Sequence, residues 1–391
     1  MEKELPSLLE KFFFYAAIHW NARDGEQDTE CLRIILAFAV IPTPLEQPFQ
    51  QVYNIPCNET DSFWALLLIQ TVYEVFMTSF IITTASIFIA VTASILVLSY
   101  VGYSIAFKAS PRTDDDTPVL PTGGQYDKYH DIIERCADEM YARPYEGVTI
   151  TSFDGLKLYA RYYHVADHAP LHIQMHGYKS SAFIDFSGGN KLAAKMGHNT
   201  LVVDERAHGR SEGKTITFGI YERRDCLSWI EYAINRFGKD TKIILDGLSM
   251  GAATVIMAAD QDLPENIVGI MADCPYASPK GIIKKVGKDM HYPPKLMYPF
   301  VKLGARIYGH FDLEESSAVE AVTKTKLPVL LMHGLADDFV PCDMSRLIKS
   351  AGGDNVRLHT FEHAGHGLCY MVDPERYEKI VIEFLEQILS K

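Results

Sequence analysis

The chain predicts an α/β domain, a mainly parallel sheet covered by helices on both faces, placed behind a helix of membrane-spanning length. Three observations carry this expectation. Short apolar runs ("LHIQMHGY", "NTLVVDERAHG", "KIILDGLS", "IVGIMADCP", "LPVLLMHGLADD") alternate with longer helical stretches through the C-terminal two thirds, the pattern of a parallel sheet buried on both sides. Each polar motif falls just after one of those runs, at the strand ends where such sheets bind ligands. Ahead of the domain, residues 75–107 contain no charged residue, whereas a bilayer core needs only about 20 apolar helical residues.

Taken in order, residues 1–74 show no sustained period and hold the proline-marked "IPTPLEQP". Their order is left open. Asn58-Glu59-Thr60 matches a glycosylation sequon, which matters only on a secretory side. Met77 stands at the start of the apolar run, so one expectation is that the functional chain starts there. Residues 75–107 are read as a single membrane-crossing helix. Lys108, Arg112 and Lys128 follow it, while no Lys or Arg lies between Asn58 and Glu74. The positive-inside bias therefore places the following domain on the cytoplasmic side. Residues 108–145 read as a Pro- and Gly-rich linker, "SPRTDDDTPVLPTGGQ", and an amphipathic helix with Ile132, Ile133, Cys136, Met140 and Tyr141 on one side. The main domain is expected over 146–391, opening with the hairpin "GVTITSFDGLKLYARYYH" and carrying an insert at 276–326. In that insert "SPKGIIKKVGKDM" and "PPKLMYPFVKLGARIYGHF" read as two cap helices.

Composition narrows the function. A net charge of −13 argues against nucleic acid as a partner, because phosphate binding needs a clustered basic face. Seven cysteines are dispersed without a CxxC pair, which reads as reduced thiols rather than a disulfide frame.

The chemistry centres on "IILDGLSMGAAT", residues 243–254. Ser249 sits between Gly247 and Gly251, after an apolar strand and before a small-residue helix. A GxSxG alone arises by chance in about one chain in ten of this length; the strand-turn-helix context is what gives it weight. A serine hydroxyl needs a base, and the base an orienting carboxylate. "MHGLADDFVP" offers Asp337 and Asp338, and "FEHAGHG" offers His363 and His366, each after an expected strand. His363 and His366 are three apart, but Gly365 interrupts the helix that metal ligation would want, and no third ligand cluster is evident. No metal is expected. His176 and His333 precede glycines at strand ends and are expected to shape loops. Asp204, Arg206 and His208 are expected to form an internal polar network.

Together these motifs make residues about 146–391 resemble α/β-hydrolase-fold serine hydrolases. The nearest in character are membrane-anchored bacterial hydrolases with a serine aminopeptidase-type domain, which share stretches like "HGYKSS" and "RAHGRSEG". The resemblance implies Asp337, the first acid of an HGxxDxxVP pattern, as the triad acid, and His366 of the Gly365-His366 pair as the base. It also implies an oxyanion hole from the backbone N–H groups of Met250 and Tyr178, with the Tyr178 ring left free to line a pocket. The implied reaction is acyl transfer through Ser249 without a cofactor. Apolar and aromatic residues of the cap (Tyr292, Met297, Tyr298, Phe300, Tyr308, Phe311) favour a small apolar ester or acyl substrate. Lys284, Lys285 and Lys288 form either a solvated face or a contact to anionic headgroups. A peptidase would instead need an acid for a substrate amine, for which Glu314 and Glu315 are the candidates. A thioesterase or acyltransferase would share every motif.

Overall fold

The computed structural model describes residues 59–109 and 123–390, with side chains from Leu67 onward in the first stretch. The expectations for residues 1–58 and for the linker at 110–122 lie outside the described residues. The chain divides into two compact units, Met1–Ala90 and Val91–Lys391.

Helix α1, Glu59–Ala106, supplies the described part of the first unit and continues into the second. It begins well ahead of the charge-free run, because Gln70 and Glu74 sustain it, bonding one turn apart at 3.1 Å. Leu67–Ala106 is 40 residues of apolar helix, long enough to cross a membrane.

In the second unit the chain after α1 is pinned to the domain. Phe107 is fully buried, its carbonyl accepts the Ile216 N–H, and Ala109 N–H donates to Lys214 O. Helix α2, His130–Ala142, then buries Ile133, Cys136, Ala137 and Met140. Tyr141 stays half exposed and packs at a tilt against Phe183.

The described residues form one eight-stranded sheet in the order β1-β2-β4-β3-β5-β6-β7-β8. Its strands are β1 Glu146–Thr151, β2 Lys157–Tyr163, β3 Leu171–Met175, β4 Asn199–Asp204, β5 Ile243–Leu248, β6 Ile267–Asp273, β7 Val329–Gly334 and β8 Val356–Phe361. The hairpin β1–β2 pairs antiparallel, with Val148 opposite Ala160, and β2 pairs antiparallel with β4. From β4 to β8 every pairing is parallel. Every residue of β3 and β4 is buried, as expected for strands covered on both faces. The order reverses between β3 and β5, and a site at the carboxyl ends of these two strands sits at the switch point.

Helix α3, Ala182–Lys195, is capped by Ser181, which accepts from Ile184 N–H. Gly188 and Gly189 are interior to it; a Cβ at Gly188 would lie 2.7 Å from the Tyr370 ring. Close packing, not a turn, requires that glycine. Helices α4, Glu222–Phe237, and α5, Met250–Ala258, follow. The latter is buried along its whole length, which explains its small, uniformly apolar composition.

The insert at 276–326 forms α6, Pro279–Asp289, and α7, Pro294–Tyr308, followed by a short α8, Ala318–Val322. Several of its aromatics pack inward. Tyr298 and Phe311 are buried, and Tyr308 packs on Tyr100 and Tyr103 of α1. Gly304 permits this contact, since a Cβ there would fall 2.3 Å from Ser99 O. The chain ends in α9, Asp343–Ala351, α10, Cys369–Val372, and α11, Pro374–Leu389.

Candidate active site

The turn after β5 forces Ser249 into an unusual backbone conformation, φ 55° and ψ −109°. Such a conformation costs about 1–3 kcal/mol and persists only where the surroundings dictate it. Both flanking glycines are sterically required. A Cβ at Gly247 would lie 2.4 Å from the Gly251 backbone, and one at Gly251 only 1.8 Å from Met175 O. Strand β3, strand β5 and α5 thus touch through backbone, and Ser249 is extruded at the helix start.

Ser249 Oγ lies 2.9 Å from His366 Nε2, and His366 Nδ1 lies 2.7 Å from Asp337 Oδ2. An ionised carboxylate only accepts, so Nδ1 carries the imidazole proton and Nε2 accepts from the serine hydroxyl. Burial alone would raise the Asp337 carboxyl. Hydrogen bonds from His333 and His366, the His366 charge and the Val340 amide outweigh this and hold it well below the usual carboxylate range. Its Oδ1 accepts from the Phe339 and Val340 N–H groups at 3.0 and 2.8 Å. Asp338 is exposed. His363 is exposed as well, so of the two histidines in its motif only His366 joins the serine.

Met250 is fully buried and Tyr178 partly so. Among the described residues neither backbone N–H has an acceptor, whereas the next amide, Gly251 N–H, donates to His176 O at 3.0 Å. The strand β3 loop lies against the nucleophile: a Cβ at Gly177 would be 3.4 Å from Ser249 Cβ. The Tyr178 ring is not free for a pocket. It packs at a tilt against Phe218, ring centres 5.0 Å apart, and its hydroxyl donates to Ala106 O at 2.9 Å.

The histidines at strand ends are loop fasteners. His176 accepts the Glu205 N–H on Nε2 and donates from Nδ1 to Gly177 O. His208 accepts the Lys179 N–H on Nε2 and donates from Nδ1 to Arg206 O. Burial lowers His176 to about 4 and His208 to about 3, which keeps both neutral. His333 bonds Ser345 Oγ and Val340 O, and its Nε2 stands 3.3 Å from Asp337 Oδ2. Arg206 pairs with Asp225 at 2.6 Å and with Asp154 at 2.9 Å, and Asp204 pairs with Arg161 at 2.7 Å. These groups form the internal network expected of them.

Four residues near the site carry no recognisable motif. Asp185, in the first turn of α3, accepts from Gly177 N–H and Ser180 Oγ, both at 2.6 Å. Burial pushes its carboxyl up, against the pull of those two bonds and of His366. Gln125 Oε1 accepts the His366 N–H at 2.9 Å; a Cβ at Gly365 would collide with it. Beside it, burial and the facing Cys274, Asp185, Asp337 and Asp338 push the Tyr126 phenol up. The stretch read as the end of a linker therefore lies over the base. Cys274 Sγ also gathers with Asp337 and His366, their ligand atoms within 4.8 Å of one another. Burial first, then Asp273 and Asp337, raise that thiol, so it stays uncharged beside the acid.

This geometry agrees with what the chain resembles. The sequence profile of the prolyl oligopeptidase family matches residues 212–391. An esterase of Pyrococcus furiosus superposes with a TM-score of 0.56 at 23% identity, over 72% of this chain and 98% of that one. These likenesses show an α/β-hydrolase fold. Another solved structure, DcsB in complex with its substrate analogue, superposes with a TM-score of 0.52 at 17% identity, over 63% of this chain and all 100% of that chain. In sequence, the chain is 28% identical over 199 residues to the uncharacterised protein YqkD of Bacillus subtilis, covering 50% of this chain and 65% of that protein. It is 23% identical over 198 residues to an uncharacterised protein of Mycobacterium tuberculosis, covering 50% and 61%. The chain thus matches less than two thirds of the length of these curated relatives.

Proposed function

We propose that the protein is a serine hydrolase that cleaves a carboxylic ester with an apolar acyl or aromatic part, by acyl transfer through Ser249. The observation that carries this reading is the unbroken chain Ser249–His366–Asp337 beside two unclaimed backbone amides. His366 Nε2 takes the hydroxyl proton as Oγ attacks the carbonyl carbon. The Met250 and Tyr178 N–H groups receive the negative charge that develops on the carbonyl oxygen. Asp337 holds the imidazole in the required tautomer and stabilises its cation. The proton passes to the leaving alcohol, and water then cleaves the acyl-enzyme by the same route. Residues 75–107 anchor the domain to a membrane, with the domain on the cytoplasmic side.

The prolyl oligopeptidase match favours a second reading, a peptidase using the same triad on an amide. The acids that such a reading needs are already engaged. Glu314 pairs with Lys280 at 2.7 Å and bonds Lys302 and Tyr298, and those lysines hold its carboxyl down at about 2. Glu315 pairs with Arg223 and Arg224 at 2.8 and 2.5 Å. Neither is left to meet a substrate amine. A panel of p-nitrophenyl esters against aminoacyl p-nitroanilides, with Ser249→Ala as the blank, decides between them. Turnover confined to the anilides would overturn the ester reading.

A further inference from the structure

We infer that the face around the end of α1 rests on an anionic lipid surface, and that the ester is a long-chain one held in that surface; this rests on the ester reading above. The argument starts from an excess of apolar helix. Forty residues, Leu67–Ala106, extend about 60 Å at 1.5 Å per residue, roughly twice the hydrocarbon core of a bilayer. The end of that helix is also the part docked on the domain. Ser99, Gly102, Tyr103 and Ala106 turn towards α7 and the core. On the other side Val97, Val101 and Ile105 recur every fourth residue, so they share one face. They remain 61%, 46% and 52% exposed. An apolar face left open on a membrane-length helix is accounted for if lipid covers it up to its last turn.

Charge supports the same surface. Immediately beyond the apolar face come Lys108, Lys179 and Lys214, all exposed. They are gathered by contacts of the helix end: Lys108 forms a bridge with Thr215, Lys214 O accepts from Ala109 N–H, and Lys179 follows Tyr178, whose hydroxyl holds Ala106 O. Among the described residues no carboxylate pairs with any of the three. In a chain of net charge −13, three cations at the end of a membrane helix with no carboxylate partner among the described residues are a local exception. Their chemistry fits the phosphates of anionic headgroups. The same contacts link this face to the reaction, since the backbone N–H of Tyr178 is one of the two proposed to hold the oxyanion. An ester bond at the level of the headgroups would therefore lie close to the nucleophile, with its acyl chain still in the bilayer.

The test uses the full chain reconstituted in vesicles of phosphatidylcholine alone or with phosphatidylglycerol. The probes are 4-methylumbelliferyl oleate in the bilayer and the acetate ester in water. The oleate-to-acetate rate ratio should be higher on the anionic vesicles. Lys108→Gln with Lys214→Gln should remove that advantage, by up to about 30-fold for two lysines near an anionic surface, at an unchanged acetate rate. Val101→Asn should lower the ratio on both vesicles. A ratio indifferent to phosphatidylglycerol, or unaltered in the double lysine variant, overturns the inference. Loss of acetate hydrolysis in the wild type would instead defeat the ester reading. To read the surface without turnover, an environment-sensitive dye on Lys214→Cys in the Ser249→Ala chain should shift blue only on the anionic vesicles; no difference between vesicles again overturns it.

Discussion

Asp337→Asn isolates what the acid does, because the surroundings dictate how the amide must sit. Oδ1 of Asp337 accepts two backbone N–H groups, from Phe339 and Val340. An amide nitrogen placed there would face both donors, so the asparagine oxygen must take that position. Its NH2 group then occupies the Oδ2 position, 2.7 Å from His366 Nδ1. Two donors cannot face each other, so the imidazole must shift its proton to Nε2. That nitrogen is the one 2.9 Å from Ser249 Oγ, and it can no longer receive the serine proton. Loss of the correct tautomer is worth about 10⁴ in kcat, or about 5.4 kcal/mol of barrier. The measurement is kcat on a p-nitrophenyl ester, with thermal unfolding followed in parallel because a charge-assisted bond is also lost. Asp338→Asn, at an exposed carboxylate, serves as the control and should retain the wild-type rate. A folded Asp337→Asn chain within tenfold of wild type would refute the tautomer argument, as would an equal loss in Asp338→Asn.

Other consequences concern the scaffold. Gln125→Ala frees the His366 N–H and should cost about 1 kcal/mol locally, seen as roughly fivefold faster hydrogen exchange of that amide with the global melting temperature little changed. Gly251→Ala drives a methyl into Met175 O and should destabilise the fold by about 3 kcal/mol or more, measured by urea denaturation. His208 has its folded value lowered from 6.5 to about 3 by burial and by His176. The unfolded chain therefore takes a proton below pH 6.5 that the folded one refuses, so the contribution is complete above 6.5 and is lost as the pH falls towards 3. The slope is about 1.4 kcal/mol per pH unit. Asp225, raised from 3.8 to about 7 chiefly by burial, acts in the opposite sense, stabilising at low pH and losing this as the pH rises. The difference between wild type and His208→Asn across pH 4–6 isolates the histidine, and a pH-independent difference would contradict its neutral state.

What could be read in the sequence was whatever is set locally. Ser249 announced itself because the turn demands Gly247 and Gly251 at fixed offsets, and a strand and a helix flank it. Asp337 and His366 followed because strand ends in a parallel sheet collect at one edge, so chain order stands in for distance. Asp185 and Gln125 have no such signature. One is an ordinary first-turn acid and the other closes a Pro- and Gly-rich stretch; only the tertiary fold brings Gln125 to an amide 241 residues away. The Tyr178 ring was misjudged for a related reason, since its partner is the carbonyl of Ala106, at the end of a helix read as a separate anchor. Gly188 has no local signature either, since that glycine answers to the Tyr370 ring across the fold.

The most direct test of the serine nucleophile is labelling of the full chain with a fluorophosphonate, followed by mapping of the modified peptide. Ser249 Oγ hydrogen-bonded to His366 Nε2 predicts a single adduct on the peptide carrying residues 243–254, absent in Ser249→Ala. An unlabelled but folded wild type, or an adduct that persists in Ser249→Ala, would contradict an activated serine at this position.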